Sequence, residues 1–123
     1  MSATKKILHV EDNFDNRLLV RRLLMASGFE VIEAENATRA MELLRSIQPD
    51  LILMDINMPD IDGYTLTQEL KSLPTLKGVP IIAITANVMK GDRERTLQAG
   101  CDGYIEKPID VDRFVDQIIG YLQ

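Results

Sequence analysis

The sequence predicts an α/β protein built on a five-stranded parallel sheet with helices on both faces. Three observations carry this. Five short β-rich runs alternate with five amphipathic segments, and several of the runs are almost continuously apolar. That is how strands read when a sheet is covered on both sides. The chain has 123 residues, 46% of them hydrophobic, which suits one domain with a substantial core.

The elements follow in order. Residues 6–10 form the first strand. In the next segment Leu19, Val20, Leu23, Leu24 and Ala26 fill one broad helical face, and Gly28 ends the helix. Residues 30–34 are the second strand. Ala40, Leu43, Leu44 and Ile47 then return at helical spacing until Gln48-Pro49. Residues 50–54 contain the run Leu51-Ile52-Leu53-Met54. A third helix carries Leu66, Leu70 and Leu73, with Asp62 before Gly63 as its expected cap. Residues 79–84 hold Pro80-Ile81-Ile82-Ala83-Ile84, and the fourth helix stops at Ala99-Gly100. Residues 103–106 are the last strand. Asp110 caps a final helix with Val111, Phe114, Val115, Ile118 and Leu122 on one face. Strict βα alternation with right-handed crossovers leaves few topologies. The common five-stranded choice is the flavodoxin-like order 2-1-3-4-5.

Composition narrows the function. Fourteen Lys and Arg face nineteen Asp and Glu, a net charge of −5. Nucleic-acid binding rewards clustered basic residues, so this balance argues against it. A single cysteine, Cys101, cannot form an internal disulfide and fits a reducing compartment. No apolar run reaches the ~18 residues of a membrane helix. Without a secretory signal, the sequon Asn36-Ala37-Thr38 reads as accidental. The expectation is one soluble cytoplasmic domain over residues 1–123.

In open parallel sheets, ligands bind beyond the carboxyl ends of the strands, near the switch between strands one and three. Strand one runs into Glu11-Asp12-Asn13 and strand three into Asp55-Ile56-Asn57. Strand four ends at Thr85-Ala86 and strand five at Lys107-Pro108. Three carboxylates, a hydroxyl and an ammonium therefore converge on one rim. Carboxylates this close either keep protons or recruit a cation, and hard oxygen ligands suit Mg²⁺ better than zinc. A carboxylate can also serve as a nucleophile and form an aspartyl-phosphate. Phosphoryl transfer then needs chiefly positioning and charge neutralisation.

These residues resemble the receiver domain of two-component response regulators, a CheY-like family, from Ile7-Leu8-His9-Val10-Glu11-Asp12 to the last helix. The resemblance implies that Asp55 is the phosphoacceptor. It places Mg²⁺, with Mn²⁺ as a substitute, on Glu11, Asp12, Asp55 and the backbone carbonyl of Asn57. It assigns phosphoryl binding to Thr85 and Lys107, a cis bond to Pro108, and an inward-turning aromatic switch to Tyr104. The stretches Met54-Asp55-Ile56-Asn57-Met58-Pro59 and Ile84-Thr85-Ala86-Asn87-Val88-Met89-Lys90-Gly91-Asp92 are most similar to hybrid-kinase receivers and DivK-like stand-alone regulators. By this resemblance the chain is a single-domain regulator without an output domain, a monomer or weak dimer. It would be a switch that catalyses only its own phosphorylation and slow dephosphorylation. A sensor histidine kinase or a histidine phosphotransfer protein would supply the phosphoryl group. Val88, Met89, Tyr104 and Glu106 would lie on the face that changes partner preference.

Phe14, Leu18 and Met25 fall opposite the apolar core face of the first helix, flanked by Arg17, Arg21 and Arg22. An apolar stripe edged by arginines reads as a docking surface for a partner helix. His9, inside strand one, reads as a structural core histidine, and Cys101 as a buried inert thiol. Two other functions use the same residues. A metal-dependent phosphohydrolase would need a substrate pocket and lid, whereas every βα loop here is short. A phosphorylation-independent binding module would have no use for Asp55, Thr85 and Lys107 together.

Overall fold

The computed structural model describes residues 4–56, 63–86 and 92–122. Strands β1 (Lys6–Val10), β2 (Glu30–Ala34), β3 (Leu51–Asp55), β4 (Ile81–Thr85) and β5 (Gly103–Glu106) form one parallel sheet in the order β2-β1-β3-β4-β5. Five helices alternate with them: α1 (Phe14–Ala26), α2 (Ala37–Leu44), α3 (Gly63–Lys71), α4 (Asp92–Gln98) and α5 (Phe114–Leu122). A 3₁₀ turn over Pro74–Leu76 leads into β4. The expected topology is the observed one.

Alternation along each strand divides the core. Ile7, Leu51, Leu53, Ile82, Ile84 and Ile105 pack with Val20 and Leu24 of α1 and with Phe114 and Ile118 of α5. Leu8, Val10, Ile52, Met54, Ile81 and Ala83 pack on the other face, against Ala37 and Ala40 of α2 and Tyr64, Leu66 and Leu70 of α3. The central strands β3 and β4 are buried at every position, which explains their unbroken apolar runs. Register places Asp55 beside Ile84 and Thr85 beside Glu106, so the carboxyl ends of β3, β4 and β5 finish level.

Local chemistry sets the helix ends. Asn13 caps α1, its side-chain oxygen accepting from the Asn16 amide at 2.9 Å. Asn36 does the same for α2 through the Arg39 amide at 2.8 Å, so the sequon asparagine is a helix cap. Asp110 accepts from the Asp112 amide at 3.0 Å and stabilises the turn that precedes α5. Gly28 and Gly100 follow α1 and α4 with positive φ of 90° and 106°. At Gly63, added side-chain volume is the issue: a Cβ there would sit 2.7 Å from the Cα of Ile56 and 2.9 Å from the carbonyl of Asp55. Helix α3 can approach the end of β3 only because that residue is glycine.

Several boundaries and faces differ from expectation. Strand β3 ends at Asp55, one residue beyond the expected limit, because register with β4 continues to Ile84. Strand β4 begins at Ile81, since Pro80 has no amide to donate; its carbonyl still accepts from Ile52 at 2.9 Å. Helix α2 closes at Leu44, with only turn hydrogen bonds over Arg45, Ser46 and Ile47. Ala26, expected in the core, is exposed at the last turn of α1. Val111 is 52% exposed in the turn before α5. Asp62 lies outside the described residues. Among the described residues no helix is long and apolar enough to cross a membrane.

Candidate functional site

Three carboxylates meet at the carboxyl ends of β1 and β3. Glu11 and Asp12 directly follow β1, Asp55 closes β3, and one oxygen from each lies within 4.8 Å of the others. Backbone pairing runs one residue past the strands and holds these positions. The Glu11 amide donates to the Ala34 carbonyl at 3.0 Å, Ile56 to Ile84 at 3.2 Å, and Lys107 to Thr85 at 2.8 Å. Thr85 and Lys107, expected to act together, are thus joined through the main chain.

Burial sorts the acids. Glu11 and Asp55 are 1% and 2% exposed, whereas Asp12 faces solvent. Lys107 brings its Nζ to 3.2 Å from Oδ1 of Asp55 and 3.6 Å from Oε1 of Glu11. One ammonium opposite two buried carboxylates leaves negative charge uncompensated. Accordingly the Glu11 carboxyl is pushed up from 4.5 to about 8, first by burial, then by its hydrogen bond with Asp55 and by repulsion from the Asp55 charge. Burial and the neighbouring Asp55 thus favour the protonated form of Glu11.

Such a donor set fits a hard divalent ion. It is all oxygen, with no cysteine or histidine ligand, and one acid lies open to solvent, where waters can complete a coordination shell. Asn57, expected to add a carbonyl, lies outside the described residues, as do Val88 and Met89.

Thr85 is fully buried at the end of β4. Pro108 follows Lys107 through a cis peptide bond and is exposed. Tyr104 is half-buried on β5; its carbonyl accepts from the Tyr121 hydroxyl at 3.4 Å. Glu106 is exposed beside it.

The α1 surface is partly as expected. Phe14 and Met25 are 61% and 59% exposed. Leu18 is half-buried, so the stripe is narrower than helical spacing implies. Its arginines are also committed within the fold. Arg17 donates to the Glu11 carbonyl at 2.8 Å and stands 5.8 Å from the Phe14 ring centre, while Arg21 pairs with Glu33 at 3.1 Å. Arg22 is exposed.

Sequence reasoning missed the supporting roles of three residues. Besides capping α1, Asn13 offers its amide to Oε2 of Glu11 at 3.4 Å. Arg17 clamps the Glu11 carbonyl, and Gly63 admits α3 against Asp55. The first had a legible signal, an asparagine before a helical segment; the other two are tertiary contacts. His9 is buried, as expected, and burial pulls its imidazole from 6.5 down to about 4. Cys101 is a buried thiol whose pKa burial raises, and its Sγ lies 3.7 Å from the Thr67 hydroxyl.

A response regulator receiver domain model matches residues 7–119. The chain belongs to the receiver-domain family of response regulators. Among curated relatives, the polar-differentiation response regulators DivK of Brucella anthropi and Brucella ovis are each 48% identical. They align over 118 and 119 residues, covering 96% and 97% of both chains respectively. The receiver domain of sensor histidine kinase PA1611 from Pseudomonas aeruginosa, described with a magnesium ion coordinated in its active site cleft, superposes with a TM-score of 0.88. It is 35% identical, and 98% of each chain is covered. Chemotaxis response regulator CheY4 of Vibrio cholerae shares the fold at a TM-score of 0.91 and 23% identity, over 97% of this chain and 99% of that one. The chain is therefore a phosphorylation-activated response regulator of two-component signalling, a signalling switch with an acidic cluster able to hold a metal ion.

Proposed function

We propose that Asp55 is the phosphoacceptor of this receiver and that Thr85 and Lys107 bind the transferred group. The observation that carries this reading is the position of the Lys107 ammonium, 3.2 Å from Asp55 and 3.6 Å from Glu11 at the rim where β1, β3 and β5 end. A carboxylate oxygen of Asp55 attacks phosphorus, the bond from phosphorus to the donor nitrogen breaks, and its electron pair leaves with the donor imidazole. Lys107 then stands beside an acyl phosphate and compensates the added charge. Thr85, held to Lys107 through the backbone, offers its hydroxyl from β4. Glu11, Asp12 and Asp55, with the Asn57 carbonyl, would hold Mg²⁺ (or Mn²⁺ as a substitute of similar hardness), which supplies positive charge to the phosphoryl oxygens.

The donor proposed is a sensor histidine kinase or a histidine phosphotransfer protein, docking on α1 around Phe14, Leu18 and Met25. Arg17 and Arg21 support that surface from its flanks. Phosphorylation is read out on the face that includes Tyr104, Pro108 and Glu106, through protein contacts. Residues 1–123 would act as one receiver domain in the cytoplasm, as a monomer or weak dimer.

Intact mass after incubation with acetyl phosphate tests the assignment. We expect one added phosphoryl group with Mg²⁺, none with a chelator, none in Asp55→Asn, and strongly reduced labelling in folded Lys107→Ala. Equal labelling of Asp55→Asn, or no adduct on folded wild type with Mg²⁺, would overturn it.

A further inference from the structure

The turn that joins β1 to α1 carries two of the three acids, and one peptide group links them, formed by the Glu11 carbonyl and the Asp12 amide. Arg17, near the start of α1, reaches back along the chain and donates from Nη1 to that carbonyl at 2.8 Å. On the other side of the same residue, the Glu11 amide donates to the Ala34 carbonyl of β2 at 3.0 Å. Glu11 is therefore held at both of its main-chain polar groups, once by the sheet and once by a side chain.

The consequence differs between the two acids. Glu11 is buried, so packing already fixes its side chain. Asp12 is exposed, so its carboxylate is aimed chiefly by the backbone that carries it. A peptide unit is planar, and a carbonyl held in place also fixes how the chain enters the next residue. Arg17 suits that task, being half-buried, permanently charged and equipped with donors in a rigid fork. Among the described residues it forms no ion pair with a carboxylate, whereas Lys107 pairs directly with Asp55 and Glu11. Arg17 thus acts on the acids through the main chain and leaves free the oxygens that a cation needs.

We infer that Arg17 is a positioning residue for divalent-cation binding: its guanidinium fixes the Glu11–Asp12 peptide so that the Asp12 carboxylate stays with those of Glu11 and Asp55. This role rests on the metal-site reading of the three acids given above. It predicts a sign that charge alone would reverse. A fixed cation near a cation site repels the ion, so deleting a guanidinium that acted only by its charge should tighten binding. Losing a group that orients a metal ligand acts the other way and weakens affinity by about 10–100-fold. Because the relieved repulsion offsets part of that loss, the expectation lies at the lower end.

Mg²⁺ titrations of the full chain without phosphodonor, followed by amide NMR, test it. Arg17→Met keeps an apolar stem but no donor, and should weaken Mg²⁺ binding about tenfold. Arg17→Lys keeps the charge and a less well-matched donor, and should weaken it about threefold. Arg22→Met removes an exposed arginine from the same helix and should leave binding unchanged or slightly tighter. Acetyl-phosphate labelling of Arg17→Met should need correspondingly more Mg²⁺ and reach the wild-type rate at saturation. Binding unchanged or tightened in folded Arg17→Met would overturn the inference. Should that variant not fold, Arg17→Lys decides, and wild-type affinity in it overturns the inference as well. Equal weakening in Arg22→Met would do the same, because the effect would then belong to the helix rather than to the Glu11 carbonyl. Wild type that binds no Mg²⁺ would instead strike the metal-site reading itself.

Discussion

Raising the pH from 6.5 to 8 should destabilise the metal-free protein, by an amount that follows from two buried groups acting in opposite directions. Glu11 carries an ordinary value of 4.5 and a folded value of about 8. Between these limits the folded protein holds a proton the unfolded chain has released, so stability falls as pH rises, by about 1.4 kcal/mol per pH unit. His9 is the mirror case, lowered from 6.5 to about 4. Between those limits the unfolded chain holds the extra proton, so stability rises with pH at the same slope. From 4.5 to 6.5 the two effects cancel and the profile is flat. From 6.5 to about 8, roughly 1.5 pH units, Glu11 acts alone and the loss is ~2 kcal/mol. Urea denaturation followed by far-UV circular dichroism, with chelator present, measures this directly. Glu11→Gln should convert the profile into a rise of about 3 kcal/mol between pH 4.5 and 6.5, then a plateau to pH 8. Saturating Mg²⁺ should shrink the wild-type decline, because the cation favours the ionised cluster. Wild-type stability that climbs from pH 6.5 to 8, or a Glu11→Gln variant with the same decline, would refute the account of this site as a charge-strained cluster.

Two further predictions rest on the geometry. Phe14→Ser changes a side chain that is 61% exposed and should leave stability and acetyl-phosphate labelling nearly unchanged. It should slow phosphotransfer from a histidine-phosphorylated partner by about tenfold, the effect of losing a modest interface anchor; equal slowing with both donors would place the defect in the site. Gly103→Ala would drive a Cβ into the Tyr121 ring, and should cost ~1–3 kcal/mol of stability in urea denaturation. Tyr121→Ala should remove most of that added cost, so additivity in the double variant would show that the clash is relieved elsewhere.

Much of the candidate site could be read before any coordinates because each residue lies at a strand end. Once five strands are placed, a parallel sheet collects their carboxyl ends on one rim, and Glu11, Asp12, Asp55, Thr85 and Lys107 follow by position alone. The electrostatics could not be read that way. Residues 11 and 55 are far apart along the chain, and no local pattern states that both carboxylates will be dry or how close Lys107 will stand. The α1 arginines show the same limit. Helical spacing correctly exposed Phe14 and Met25, yet it could not reveal that Arg17 reaches the Glu11 carbonyl or that Arg21 reaches Glu33.

The amino-acid sequence by itself determined the alternation of elements, the doubly covered central strands and the identities of the acidic, hydroxyl and ammonium groups at their ends. These properties depend on period, composition and order, which act locally. Tertiary structure alone decided that Gly63 must admit a helix against Asp55, that burial beside Asp55 pushes the Glu11 carboxyl up, and that His9 is buried without a protein partner. Each of these depends on what a second element brings within a few ångströms. Packing distance and local dielectric exist only after the sheet and its helices have closed on one another.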